Sequence, residues 1–510
     1  MHALIRQAIT SHTPESLLEK LQGKPGLVLL RSFMLEMSQA SYSFIAARPF
    51  LTFRSDGSRC ETRWAGGCQL QFGDPWRLLE QLISRYELLD EIDLPFPLGG
   101  CFGYWGYDLK NFIESPLPRR AISDLELPDC HLGFYDSLVA FDHHFGTTWV
   151  LATGLQADGA RSEERARQQS DFWMEQLARP GAGSDAVRVG STPLASSTSS
   201  QQNQALSRSG GFELVLPDRP DRAGSVFSNL AQIDFLNCVE RARKYIHAGD
   251  IYQVNLSQRL TAACPLPAWD FFKALGHVSP APLSAYLDAG EFQVVSSSPE
   301  LFLRLSGSRV LTRPIKGTRP RSTDPTRDSQ LSYQLQTSPK EMAELVMITD
   351  LLRNDLGKVC EFGSVQVPEL ARLERFPQVQ HLVSTVEGFL RKEVSHLGAL
   401  AACFPGGSIT GAPKIRAMQI IDELEPVSRG PYTGALGYLG FNRESQLSIL
   451  IRTALCKNGL VHFQVGAGIV ADSIPSAEYL ETLAKARGFF EALHFCSQPN
   501  DRIPQRQTPS

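Results

Sequence analysis

From Asp234 onward the chain alternates long helical stretches with pairs of short strand-like runs. Residues 234–248 have an amphipathic helical pattern that Gly249-Asp250 ends, and residues 251–259 alternate as a strand does. Residues 292–297 and 301–305 read as strands on either side of Ser298-Pro299-Glu300. Residues 447–455 and 460–465 read as a hairpin turning through Lys457-Asn458-Gly459. A helix over 339–352 starts on Pro339, whose fixed φ suits a first helical position, and residues 476–493 read as the last helix. Strand pairs between long helices predict an α+β sandwich and exclude a parallel doubly wound sheet.

The first part of the chain reads as a separate unit. Residues 26–30 and 42–47 are strand-like, and residues 97–108 mix glycines with aromatics, which suits closely packed strands and a tight turn. A charged helix is expected over 160–177. Hydrophobic periodicity is then lost, and residues 191–202 are low in complexity. The predicted organisation is an N-terminal domain over 1–178, a flexible Ser/Gly/Pro-rich linker over 179–225, a catalytic domain over 226–495 and a polar tail over 496–510. A net charge of −4 gives no reason to expect nucleic acid or an acidic membrane as partner. No apolar run has the length of a membrane helix, and residues 1–13 lack the apolar core of a secretory signal. Ten scattered cysteines without a CxxC pair predict reduced thiols and a cytoplasmic location, and signal no zinc site.

The segment Arg313-Pro314-Ile315-Lys316-Gly317-Thr318-Arg319-Pro320-Arg321 sets one lysine between structure-breaking residues and among three arginines. Proline fixes the backbone before Lys316 and glycine allows a tight turn after it, so its amine is aimed. The arginines can hold an anion and raise the cost of protonating the lysine. Lys316 is therefore a candidate amine nucleophile beside an anionic substrate, with a basic surface turn as the alternative. Two predicted helices each carry carboxylates three residues apart, Glu341 with Glu344 and Glu478 with Glu481, which puts each pair on one face. If opposed, the two faces offer up to four acidic groups to one hard cation such as Mg2+. Solvated helix faces are the alternative, since Glu481 and Lys485 also form a favourable i,i+4 pair.

Two glycine-rich motifs do not carry through. Residues 406–414 begin like a phosphate loop but have Ala412-Pro413 where Lys-Ser is needed. Gly99-Gly100-Cys101-Phe102-Gly103 matches the surroundings of a glutaminase cysteine, yet no His-x-Glu follows, and a packed structural strand fits better. Gln253, Glu300, His381, Ser408, Tyr432 and Arg452 remain as polar residues in an apolar domain. Arg452 is expected in mid-strand, where a buried arginine needs an anion. His381 reads equally as a core histidine. Gly466 and Gly468 let backbone N–H groups approach an anion closely.

Taken in order, the motifs at 249–259, 297–302, 313–321, 404–416, 429–440 and 466–485 resemble the chorismate-utilising enzymes. These are the large subunits of anthranilate synthase and aminodeoxychorismate synthase, with the isochorismate and salicylate synthases. The resemblance implies the anthranilate synthase component I-like fold, a multi-layer α/β sandwich with largely antiparallel sheets packed face to face and helices outside. Gln253 stands where isochorismate and salicylate synthases have a general-base lysine, and a glutamine cannot activate water. Lys316 stands where anthranilate synthases usually have alanine, which resembles the aminodeoxychorismate synthase branch. The resemblance implies Lys316 as nucleophile and Glu300 as general acid, with Mg2+ held by Glu341, Glu344, Glu478 and Glu481. It implies Gln253, His381, Ser408, Tyr432, Arg452, Gly466, Gly468 and Lys485 as chorismate-binding residues. It further implies ammonia from a separate glutamine amidotransferase subunit. Ser32, in Leu29-Leu30-Arg31-Ser32, falls where anthranilate synthases bind tryptophan, a partial match that leaves regulation open.

Overall fold

A computed structural model describes residues 2–33, 41–91, 94–113, 117, 119–178, 211–214, 225–375 and 379–497. Most of the expected linker, and the tail beyond residue 497, lie outside these. The described strands form two largely antiparallel sheets. In the first, the strands Leu4–Ala8, Thr147–Ala152, Ser137–Asp142, Tyr42–Ala46 and Val28–Arg31 adjoin Leu283–Asp288, Gln293–Ser298, Thr453–Lys457, Leu460–Ile469 and Gln253–Ala263. In the second, Ile315–Pro320, Val379–Phe389, Arg309–Arg313, Leu301–Ser306, Glu444–Ile449 and Ala435–Gly440 adjoin Gly100–Trp105, Cys130–Tyr135, Leu51–Asp56, Arg59–Trp64 and Gly67–Phe72.

Strands from before and after the linker therefore share both sheets, and each sheet crosses between the two parts at one seam. In the first sheet the seam pairs Leu29 with Tyr286. In the second it pairs Gly103 with Gly437. Cβ atoms at these facing glycines would lie 2.1 Å from the His131 carbonyl oxygen and 2.0 Å from that of Gln446, so only glycine fits. Neighbouring Cys101 is fully buried, and burial pushes its thiol up to about 12. A thiol held protonated in this way is a packing group and not a nucleophile.

The inner faces of the sheets meet in an apolar layer that includes Val28, Phe44, Leu287, Phe102, Leu436 and Tyr438. Phe44 and Tyr438 touch edge to face across it, with ring centroids 5.4 Å apart. Helices Pro14–Lys20, Glu163–Ala178, Ala268–Val278 and Pro475–Ser497 cover the outer face of the first sheet. Helices Pro75–Ile83, Pro339–Gly357 and His396–Cys403 cover that of the second. This is the expected α+β sandwich, in four layers. Helix Pro339–Gly357 starts as predicted, with Ser338 as its N-cap accepting from the Glu341 N–H.

One expected strand is divided. The predicted run 447–455 becomes Glu444–Ile449 in the second sheet and Thr453–Lys457 in the first. Arg452 lies at the crossing with φ of 52°, not in mid-strand as the apolar pattern predicts. An apolar run can pass from one sheet to another without losing its burial, so hydrophobicity alone does not mark the break.

A buried ion pair ties the crossing region together. Arg429 donates from Nε and Nη2 to the two Glu425 oxygens, from Nη2 to the Asn255 carbonyl and from Nη1 to the Ile409 carbonyl. Glu425 also accepts from the main-chain N–H and hydroxyl of Ser257. The pair joins strand Gln253–Ala263, the 3-10 turn Gly407–Ile409 and the end of helix Lys414–Leu424. Removing one partner leaves the other charged and buried. Glu425→Ala is expected to cost about 3–5 kcal/mol of unfolding free energy. A loss below about 1 kcal/mol in urea denaturation would show that the pair is not structural.

Candidate active site

Lys316 lies in strand Ile315–Pro320, paired with Leu382 at the edge of the second sheet. The register shifts between Lys316 and Thr318, and Gly317 takes φ of 66° there. A Cβ on Gly317 would lie 2.6 Å from Leu335 Cδ1 and 3.0 Å from Glu341 Oε2. Glycine therefore lets the bulge press against helices Pro325–Gln336 and Pro339–Gly357, which brings the Lys316 backbone beside Glu341 of the first carboxylate pair. The half-buried Lys316 ammonium acts electrostatically on Glu300, Glu344 and Lys485, so groups from three other elements face it.

Glu300 sits in the turn between Gln293–Ser298 and Leu301–Ser306 and is 6% exposed. Ser408 donates its hydroxyl to Glu300 Oε1 at 2.7 Å. Burial raises the Glu300 carboxyl to about 7, against the opposing effects of the Ser408 hydrogen bond and the Lys316 charge. A carboxyl in that range can give up a proton near neutral pH.

The two predicted acidic faces oppose each other. Burial pushes both Glu344 and Glu478 above the usual carboxylate range, and Glu481 adds repulsion to each. Glu341 adds to the repulsion on Glu344, while Lys340 offsets part of it for both Glu344 and Glu478. Glu341 takes a hydrogen bond from Arg319 at 3.3 Å, Glu478 one from Ser473 at 2.6 Å, and Glu481 pairs with Lys485 at 2.8 Å. Among the described residues no three His, Cys, Asp or Glu side chains are gathered tightly enough to enclose one ion. The donor set still suits a hard dication held partly through water: Glu344 and Glu478 are partly desolvated and each is repelled by neighbouring carboxylates.

The remaining residues come from strand ends and loops around this point. Lys485 donates to the Gly466 carbonyl at 2.8 Å, and Arg452 donates to the Lys485 carbonyl at 3.2 Å. Burial lowers both basic groups from their ordinary values. Tyr432 lies under the Arg429 guanidinium, 5.6 Å from ring centroid to carbon, and burial pushes its hydroxyl up to about 12. Gly466 and Gly468 lie in strand Leu460–Ile469, opposite Ser257 and Asn255. His381 shares a 2.9 Å hydrogen bond with the Thr318 hydroxyl, and burial lowers its pKa. Gln253 is buried at the start of its strand. Ser32 stands apart from these groups. It borders a cavity of about 40 Å³ between the sheets, with Leu30, Tyr42, Ser284 and Leu436 among the other lining residues.

Sequence reasoning passed over Asn255, Thr318 and Lys340. Asn255 was legible from its spacing, because residues two apart on a strand share a face and Gln253 was already singled out. Thr318 depends on pairing with His381 across a bulge, and Lys340 on the approach of two helices, neither of which has a local signal.

Residues 31–491 match the family model described as chorismate binding enzyme. Aminodeoxychorismate synthase component 1 of Klebsiella aerogenes is 37% identical over 475 residues, 93% of this chain and 95% of that protein. Anthranilate synthase component 1 of Thermus thermophilus is 38% identical over 491 residues, 94% of this chain and 95% of that protein. The crystal structure of anthranilate synthase component I from Streptococcus pneumoniae TIGR4 superposes with a TM-score of 0.71 at 30% identity, covering 90% of this chain and 94% of that one. Overall similarity thus separates the two relatives' activities hardly at all, while the matched length and identity agree on the family. The chain belongs to the family of chorismate binding enzymes.

Proposed function

We propose that this protein aminates chorismate at carbon 4, giving 4-amino-4-deoxychorismate for p-aminobenzoate and folate formation. Ammonia comes from a separate glutamine amidotransferase subunit. The observation that carries this reading is Lys316, a side-chain amine facing both a carboxyl raised to about 7 and a carboxylate-rich pocket. The ten cysteines are free and all but Cys68 and Cys238 are buried, which supports a reducing, cytoplasmic setting. No helix among the described residues is long and apolar enough to cross a membrane.

In the first step the Lys316 amine attacks ring carbon 2 and forms a C–N bond. The ring double bonds shift, the carbon 4–oxygen bond breaks, and the hydroxyl leaves as water with a proton from Glu300. In the second step ammonia attacks carbon 4, the double bonds shift back, and Lys316 leaves with the electron pair of the carbon 2–nitrogen bond. The proton lost from the incoming nitrogen restores Glu300. Ser408 holds the Glu300 carboxyl in place between the steps. A magnesium ion held by Glu341, Glu344, Glu478 and Glu481, directly or through water, would neutralise the ring carboxylate and ease the flow of electrons into the ring. Arg452, Tyr432 and the Gly466–Gly468 backbone receive the enolpyruvyl carboxylate, and His381 and Lys485 border the ring.

The test is chromatographic identification of the product from chorismate, magnesium and ammonia, with and without added lyase. Fluorescent anthranilate as the product would transfer the protein to the carbon 2 branch, the activity named for the Thermus relative. Lys316→Ala is expected to reduce carbon 4 amination at least 100-fold while chorismate affinity changes less than threefold. Full turnover with ammonia in that variant would exclude the covalent step. Glu478→Gln or Glu481→Gln is expected to raise the magnesium concentration for half-maximal rate about tenfold. An unchanged titration would make both carboxylates bystanders.

The pH dependence follows from Glu300. Its folded pKa is raised, so the neutral acid is present below about 7 and is lost as pH rises through that value. The rate at saturating chorismate and free ammonia should therefore show an alkaline limb near pH 7. Glu300→Gln should lower the rate about 100-fold and remove the limb. Persistence of the limb in that variant assigns it to another group.

A further inference from the structure

Cys264 and Cys496 are far apart in sequence and meet at one corner of the first sheet. Cys264 directly follows strand Gln253–Ala263, and Cys496 is in the last turn of helix Pro475–Ser497, which covers that sheet. Both side chains belong to one apolar cluster with Cys456 of strand Thr453–Lys457. The sulfurs of Cys264 and Cys496 face each other closely enough for a thiol–thiol hydrogen bond. Both are free thiols, and Cys264 donates to the Leu266 carbonyl at 3.7 Å, which makes Cys496 the donor to Cys264. The bond from Cys496 lowers the Cys264 thiol against the opposing effect of burial, and the main chain at Leu266 adds to the lowering. Burial pushes the thiols of Cys101, Cys130, Cys403 and Cys456 the other way. The pair also lies near the surface. Cys264 runs into the exposed segment Pro265-Leu266-Pro267, and Cys264 and Cys496 are 6% and 8% exposed, where Cys101 is fully enclosed.

We propose that Cys264 and Cys496 form a reversible disulfide when the protein meets hydrogen peroxide. The Cys264 thiolate attacks the peroxide, its sulfur takes one oxygen as a sulfenic acid, and the other oxygen leaves as hydroxide. The sulfur of Cys496 then attacks that of Cys264, the sulfur–oxygen bond breaks, and the hydroxyl departs as water with the Cys496 proton. The Cys264 proton converts the first hydroxide to a second water, so two thiols are oxidised as one peroxide is reduced. Thiol reductants reverse the bond by exchange. The disulfide ties the last turn of the helix that carries Glu478, Glu481 and Lys485 to the end of the strand that begins at Gln253. It joins segments distant in the chain, and a link of that kind stabilises the fold by restricting the unfolded state.

The test treats the folded, reduced full-length protein with hydrogen peroxide, blocks the remaining thiols with iodoacetamide and maps non-reduced peptides by mass spectrometry. Oxidation of Cys68, which is exposed, confirms that the dose is sufficient. A peptide pair joined through Cys264 and Cys496 is expected, and dithiothreitol should release it. The pair should be absent from Cys264→Ser and from Cys496→Ser but persist in Cys456→Ser; if one of the first two does not fold, the other carries the comparison. Cross-linking should raise the thermal midpoint of the wild-type protein by about 5 °C and leave those two serine variants unchanged. Alkylation of both Cys264 and Cys496 at a dose that oxidises Cys68 overturns the proposal. So does a cross-link through Cys456, or one that forms only after unfolding in urea. A lowered midpoint in the cross-linked protein overturns it as well, because the bond would then form only by pulling the fold apart.

Discussion

The buried pair of Arg429 and Glu425 fixes where everything else in the site can stand. The guanidinium satisfies carbonyls of the Asn255 strand and of the turn that carries Ser408, while its face lies against Tyr432. The carboxylate in turn takes both donors of Ser257. Three segments distant in sequence are thereby locked in register by one ion pair that lies against Tyr432 and takes no part in the proposed bond-making steps. Rigid support of this kind is what allows a glutamate such as Glu300 to be held with a single hydroxyl partner and little else. A second buried pair, Lys414 with Asp355 at 2.6 Å, fastens helix Lys414–Leu424 to the acidic helix Pro339–Gly357. The carboxylate-bearing helix is thus held to the same framework.

The site is dense in charge, and its charges are held away from their usual values in both directions. Burial raises Glu300, Glu344 and Glu478, and lowers Arg452 and Lys485. Groups of this kind gain from a ligand that brings the opposite charge and excludes water. On the proposed reading chorismate brings two carboxylates, one toward the basic side at Arg452 and one toward the acidic side, where only a cation makes its arrival favourable.

Much of the fold was legible from periodicity. The helices over Gln232–His247, Pro339–Gly357 and Pro475–Ser497 lie where amphipathic pattern and the start at Pro339 put them. The strands around Glu300 also lie where alternation predicts, and the turn that presents its carboxyl was visible as Ser298-Pro299-Glu300. The division at 450–452 was not legible, because residues on both sides remain apolar and buried while the chain changes sheets. The site was legible where a residue is exceptional in its own surroundings: Lys316 among glycine and prolines, or paired glutamates on one helical face. It was hidden where a contact depends on a second element, as at Thr318, whose hydrogen bond to His381 crosses a strand bulge.

The seams at Leu29 with Tyr286 and Gly103 with Gly437 bear on how such a chain can diversify. Each part taken alone would present a long unpaired sheet margin at both places, open to pairing with any other extended backbone. Shuffling halves between relatives would therefore have to preserve two facing registers at once, one of them crowded enough to admit only glycine. Novelty in this architecture is then more readily acquired by altering side chains around an intact double sheet than by exchanging modules, because the two parts of the chain complete each other's sheets.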